Sequence, residues 1–187
     1  MSVSPRLRDD LVNSIPSLRA FAVSLCGDRT FADDLVQEAL VKAWSNLDKF
    51  REGTNMRAWL FTILRNVFYS EHRKRRREVE DVDGAFAARL IGLPSQSSYM
   101  DMQDFRAALA LLQADQREAL VLVGASGFSY EEAAAICGCK VGTVKSRVNR
   151  ARTRLSELLS VQSGNDYGLE APIQAALASV ASAGHAR

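Results

Sequence analysis

The chain has 187 residues, 24 Lys+Arg against 22 Asp+Glu for a net charge of +2, and 47% hydrophobic residues. That suffices for two small helical domains or one medium one, and no apolar run approaches the roughly 20 residues of a membrane-spanning helix. The opening Met1-Ser2-Val3-Ser4-Pro5-Arg6 lacks an apolar signal-peptide core, and the sparse cysteines Cys26, Cys137 and Cys139 fit a reducing compartment, so a cytoplasmic protein is expected.

Periodicity is helical throughout, with no sustained alternation of period two. Leu7, Leu11, Leu18, Ala22 and Leu25 recur at helical spacing; Pro16 is expected to split this run and open its second piece, and Gly27 to end it. Thr30 with Asp33 predicts a capping box. An apolar stripe follows, Leu35, Val36, Ala39, Leu40, Ala43 and Trp44, opposite Asp33, Asp34, Gln37, Glu38 and Lys42. Asn46 to Asn55, with Gly53, reads as a loop. A third helix carries Trp59, Leu60, Ile63, Leu64, Val67 and Phe68 and runs into Arg73-Lys74-Arg75-Arg76-Arg77. From about Val79 to Met100 the chain turns Gly-, Pro- and Ser-rich and reads as a linker, with a short helical turn around Phe86 to Leu90.

Helical spacing resumes at Phe105, Leu109 and Leu112. Asp115 with Glu118 predicts a second capping box before Ala119 to Val123, with Gly124 and Gly127 closing that helix. Ser129 with Glu132 predicts a third, opening a short Ala-rich helix, and a last helix spans about Val141 to Leu159. Beyond Val161 the chain is rich in Ala, Ser and Gly; Pro172 can open a weak helix with Ile173, Leu177 and Val180. The expected organisation is all-α: a helical domain over 1–78, an acidic flexible linker over 79–100, a second helical domain over 101–160, and a disordered or weakly helical tail over 161–187.

The near-neutral total hides a segregation of charge. Five Lys/Arg occupy the six residues from His72 to Arg77, and six lie between Lys140 and Arg154 with no acid among them. Between Glu78 and Asp101 five acids face Arg89 alone. Two basic segments flanking an acidic connector fit two polyanion-facing surfaces, although a single basic run reads equally well as a solvated helix face.

Ala134, Gly138 and Val144 fall at the spacing of a helix-turn-helix: a small residue where two helices cross, a glycine for a left-handed turn, and an apolar anchor on the second helix. Thr143, Lys145, Ser146, Arg147 and Asn149 crowd the front of that second helix, followed by Arg150, Arg152 and Arg154. Val144, Val148, Ala151, Leu155 and Leu158 keep the opposite stripe apolar. One buried face and one cationic face suit a DNA major groove. In the N-terminal half, the acids that open the second helix suit either a helix N-terminus or a docking face for a partner protein. The loop from Phe50 to Arg57 and the helix after it, with Trp59, Arg65, Asn66 and Tyr69, could hold an unstacked base; Trp59 also fits a core position. Cys137-Gly138-Cys139 lacks zinc-site spacing to His72 or His185. With no nucleophile–base pair or phosphate-cradling loop, neither catalysis, cofactor nor metal is expected, and the chain does not read as an enzyme.

On Asp33-Asp34-Leu35-Val36-Gln37-Glu38, on Trp59 through Arg77, and on Gly142-Thr143-Val144-Lys145-Ser146-Arg147, the sequence resembles the extracytoplasmic-function (ECF) sigma factors of RNA polymerase, over about residues 5 to 160. Ser24-Leu25-Cys26-Gly27-Asp28, Gly53-Thr54-Asn55-Met56 and Gly124-Ala125-Ser126-Gly127-Phe128 are similar to the general stress response group of alphaproteobacteria. The resemblance implies a sigma2 bundle and a sigma4 helix-turn-helix domain that direct polymerase core to promoters under control of a small anti-sigma factor. It implies contacts to the β′ clamp helices and the β flap, the former through Asp33, Asp34, Leu35, Gln37, Glu38, Lys42 and Trp44. It implies −10 contacts from Asn55, Met56, Arg57, Arg65 and Asn66, and from Tyr69, Arg73, Lys74 and Arg76. For the −35 element, Lys145, Ser146, Asn149 and Arg150 would read bases, and Arg147, Arg152 and Arg154 would hold phosphates beside Thr143. Neither a membrane nor a small-molecule substrate is implied. Two alternatives stay open at this point: a sigma-like decoy that binds an anti-sigma factor without touching DNA, and a conventional helix-turn-helix regulator. Gln113, where relatives often carry Pro, makes the helix break there less certain.

Overall fold

The computed structural model describes residues 5–51, 53–80 and 105–159, apart from the side chains of residues 5, 6, 76 and 78–80. The helical turn expected at 86–90 and the tail helix lie outside the described residues. The described residues are helical with no strand among them, an all-α fold. The chain divides into two units, Met1–Arg89 and Leu90–Arg187.

In the first unit, α1 (Pro5–Cys26), α2 (Arg29–Ser45) and α3 (Met56–Glu80) each pack on the other two, with one tight turn at Leu47–Lys49 inside the expected loop. Leu18, Phe21, Leu35, Leu60, Phe61 and Leu64 fill the centre almost without exposure. Phe21 stacks on Phe61 with centroids 4.9 Å apart. Each such side chain contributes about 1.5–3 kcal/mol. Two expectations are corrected here. Pro16 does not split α1, which runs straight through it; Leu11, Leu18, Phe21, Ala22 and Leu25 bury one continuous face, and that burial outweighs the roughly 3 kcal/mol cost of an interior proline. Nor does Thr30 open α2. Asp28 holds the cap, its side chain accepting from the Phe31 N–H at 2.7 Å, so the helix starts earlier than the Thr30–Asp33 spacing suggested. Asp33, released from that role, pairs with Arg19 of α1.

The second unit is described from a helix at 105–110 (α4), followed by α5 (Ala114–Leu120), α6 (Tyr130–Cys137) and α7 (Val141–Leu158). The break at 111–113 is present despite Gln113, which caps α5 through its backbone alone. The expected Asp115–Glu118 capping box is absent: α5 starts at Ala114, which puts Asp115 inside its first turn, and Glu118 is fully buried. A buried carboxylate keeps its place only with polar partners. The Arg117 guanidinium donates to the Ala110 carbonyl at 3.1 Å and ties α5 to the end of α4. α5 closes in one wide turn over Val121–Ala125, where the Ser126 N–H reaches the Val121 carbonyl at 2.8 Å. Gly124 sits within that turn, and Gly127 follows it at φ 69°. α7 then lies against α5 and α6, burying Val144, Val148, Ala151 and Leu155.

Candidate nucleic-acid interface

The turn between α6 and α7 is fixed by its own chemistry. The Ser129 hydroxyl accepts from the Glu132 N–H at 3.1 Å while the Glu132 carboxylate accepts from the Ser129 N–H at 2.9 Å, the reciprocal pair expected from the sequence. At the other end of α6, Gly138 adopts φ 64°, ψ 38°. Its N–H reaches the Ala135 carbonyl and the Cys139 N–H the Ala134 carbonyl, a Schellman closure that satisfies the last carbonyls and redirects the chain into α7. Ala134 is 4% exposed, a small residue inside the packed pair of helices.

With one face of α7 buried, Lys145, Ser146, Asn149, Arg150, Thr153 and Arg154 are left exposed along the other. The Lys145 ammonium lies 5.7 Å from the Tyr130 ring centre, and Arg154 donates to Glu157 one turn on at 2.8 Å. Thr143 and Arg152 are half-buried. Arg147 is placed differently from its neighbours. Its Nε lies 3.0 Å from an Asp115 carboxylate oxygen and its Nη1 donates to the Cys139 sulfur at 3.8 Å. Arg147 therefore braces α7 against α5 and the turn, and a phosphate would have to compete for it. The spacing that made Arg147 look like its neighbours could not show Asp115 opposite it.

On α3, Asn66, Ser70, Arg73, Lys74 and Arg77 form one exposed stripe. Arg75 stacks its guanidinium 3.6 Å over the Phe31 ring and pins the basic end of α3 to α2. The Arg76 side chain lies outside the described residues. Asn55 caps α3, its side chain accepting from the Ala58 N–H at 3.1 Å. Arg65 lies 4.6 Å from the Tyr69 ring centre and Arg57 5.3 Å from that of Phe61. Trp59 is half-buried against Phe50, with centroids 5.3 Å apart. Met56, expected among the −10 contacts, is instead 7% exposed: the first residue of α3 turns its side chain into the core.

The outer face of α2 carries Asp34, Gln37, Val41 and Trp44, with Lys42 pairing Glu38 at 2.6 Å. Leu35, expected among the polymerase contacts, is 1% exposed and supports this face from beneath. Trp44, read as part of the buried stripe as well as a contact, is 55% exposed, and Val41 is 60% exposed. Val41 went unnoticed in the sequence; its place one turn before Trp44, off the buried positions, was the signal that could have found it. Val41 and Trp44 are the two large apolar side chains that the described part of this face leaves exposed.

Residues 11–78 match the sigma-70 region 2 family and residues 102–155 the sigma-70 region 4 family. The chain is 58% identical over 177 residues to the ECF RNA polymerase sigma factor EcfG of Rhodopseudomonas palustris, covering 95% of this chain and 98% of that protein. Among solved structures it is similar to the sigma factor RpoE of Bartonella quintana in complex with the anti-sigma factor NepR. That match has 57% identity and a TM-score of 0.78, covering 84% of this chain and 99% of RpoE. CnrH of Cupriavidus metallidurans, solved with the cytosolic domain of CnrY, is 30% identical with a TM-score of 0.56, covering 84% of this chain and 88% of CnrH. With both sigma-70 regions in order on two helical units, the chain belongs to the ECF RNA polymerase sigma factors.

Proposed function

We propose that this chain recruits core RNA polymerase to promoters of a general stress response, reading −35 duplex with α7 and capturing an unpaired −10 strand with the 50–57 loop and α3. The observation that carries this reading is the exposed stripe of Lys145, Ser146, Asn149 and Arg150 on a helix whose entry is fixed by the Ser129–Glu132 box and the Gly138 turn. Side chains of these types reach base edges, each good bidentate pair discriminating by about 1–3 kcal/mol. Thr143, Arg152 and Arg154 hold the flanking phosphates, and Arg147 holds α7 in register. On the first unit, Asn66, Arg73 and Lys74 track the strand, offsetting the few kcal/mol needed to unstack a base. The α2 face around Val41 and Trp44 docks on polymerase, with the Lys42–Glu38 pair at its rim.

The chain acts by binding and performs no chemical step of its own. It works in the cytoplasm; among the described residues no helix is long and apolar enough to cross a membrane. The complexes of RpoE with NepR and of CnrH with CnrY support a small anti-sigma factor as its regulator. Reconstitution with purified core polymerase on a fork-junction promoter tests the reading. The expected result is an open complex that forms only when the chain is present. Failure on every promoter tried would overturn it in favour of an adaptor that binds an anti-sigma factor without touching DNA.

A further inference from the structure

Beside the stripe that runs from Asn66 to Arg77, α3 carries a second row of side chains. Arg65, Tyr69 and His72 stand at i, i+4 and i+7 and so share one face of the helix. Ring contacts tie the row together. The Arg65 guanidinium lies 4.6 Å from the Tyr69 ring centre, and Tyr69 meets Phe68 edge-on at 5.2 Å. His72 stacks on Phe68 with centroids 5.8 Å apart and planes inclined by 24°. Burial separates the three rings: Phe68 belongs to the core, Tyr69 is half-buried with Arg65 over it, and His72 is exposed. The imidazole is therefore the outward ring of the row, braced on one face by a core phenylalanine. Glu71 is the one acid between Met56 and Arg77, and it falls about 100° around the helix from His72. Arg73 and Lys74 follow His72 directly and are exposed. An aromatic face beside cations suits an unpaired base, which stacks on the ring while the charges hold its backbone, and histidine is among the residues that serve as such a platform. Bases within a duplex are already stacked on one another, so the row favours a melted strand.

We propose that His72 is a base-stacking residue of the first unit: one base of the melted −10 strand lies on its outer face, while Asn66, Arg73 and Lys74 hold the adjoining backbone. Arg65 and Tyr69, whose cation and ring are engaged with each other, support the row from the side. The inference rests on the −10 capture given above and names the side chain that receives a base.

The test uses holoenzyme made from purified core polymerase and the full chain, bound to fork-junction promoters that carry 2-aminopurine at one unpaired −10 position at a time. A parallel series carries single abasic sites. Wild type, His72→Tyr, His72→Lys and His72→Ala are compared. Stacking predicts fluorescence quenched at one or two positions by wild type and His72→Tyr, and released by His72→Ala and His72→Lys. It also predicts about five- to tenfold weaker fork binding by His72→Ala, a loss that disappears when the base at the quenched position is removed. Quenching identical in wild type and His72→Ala at every position would overturn the proposal. So would an affinity loss that persists at every abasic site, which marks a packing role, or full rescue by His72→Lys, which marks a charge role. Those three outcomes leave the −10 capture standing; a wild-type holoenzyme that opens no promoter would contradict the capture itself and His72 stacking with it.

Discussion

α3 and α7 both carry a cationic stripe on a helix whose other side is buried, yet different forces aim them. The entry to α7 is set locally, by the capping box that opens α6 and the left-handed Gly138 that closes it, and one tertiary pair, Arg147 with Asp115 of α5, is added to that. α3 is aimed by packing at a distance, through Phe21 against Phe61 and Arg75 over Phe31. A helix held by backbone geometry declares itself in short spacings, whereas one held by tertiary contacts does not. The same difference predicts how each fails.

The largest effect is expected from Phe21→Ala, which empties the centre of the three-helix unit and costs about 3–5 kcal/mol. Urea denaturation with residue-resolved amide exchange should show protection lost along α3 and retained along α7. Equal loss in both helices would break the comparison. Next comes Gly138→Ala. A Cβ there meets nothing within 4 Å, so its cost is that of a left-handed backbone alone, about 1–2 kcal/mol. Gly142→Ala sharpens the point: it too meets open space, but at an ordinary helical φ, so the same denaturation should show about 0.5–1 kcal/mol gained. If both glycines respond alike, turn geometry does not set the entry to α7. The smallest effect is that of Arg147→Ala on stability, up to about 1 kcal/mol because the pair is partly exposed. Its loss should weaken −35 binding to all sequences alike by loosening α7, measured as equal affinity losses across a panel of duplexes.

Much of this was legible in the sequence for the reason just given. Ser129, Glu132 and Gly138 sit where backbone donors, acceptors and a positive φ require those residue types, so their spacing alone located the turn. The same reasoning failed at Thr30 and at Asp115, where a matching spacing was satisfied by other chemistry: Asp28 took the cap of α2, and Asp115 became the partner of Arg147. Pro16 misled because propensity is local and the buried face of α1 is not. Period counting put Leu35 on the buried stripe of α2, where it lies, while the resemblance implied it as a contact. The same count placed Trp44 inside, passed over Val41, and could not show Met56 turning inward, because the edge of a stripe and the first residue of a helix are settled by tertiary packing.

The two-site grip is tested most directly by measuring promoter discrimination with Arg150→Ala on polymerase core, substituting the −35 and −10 elements one base pair at a time. Relaxed discrimination of about 1–3 kcal/mol at one or two −35 positions is expected, with the −10 preferences intact. An unchanged ranking of −35 variants at wild-type strength would contradict the assignment of α7 as the reader of that element.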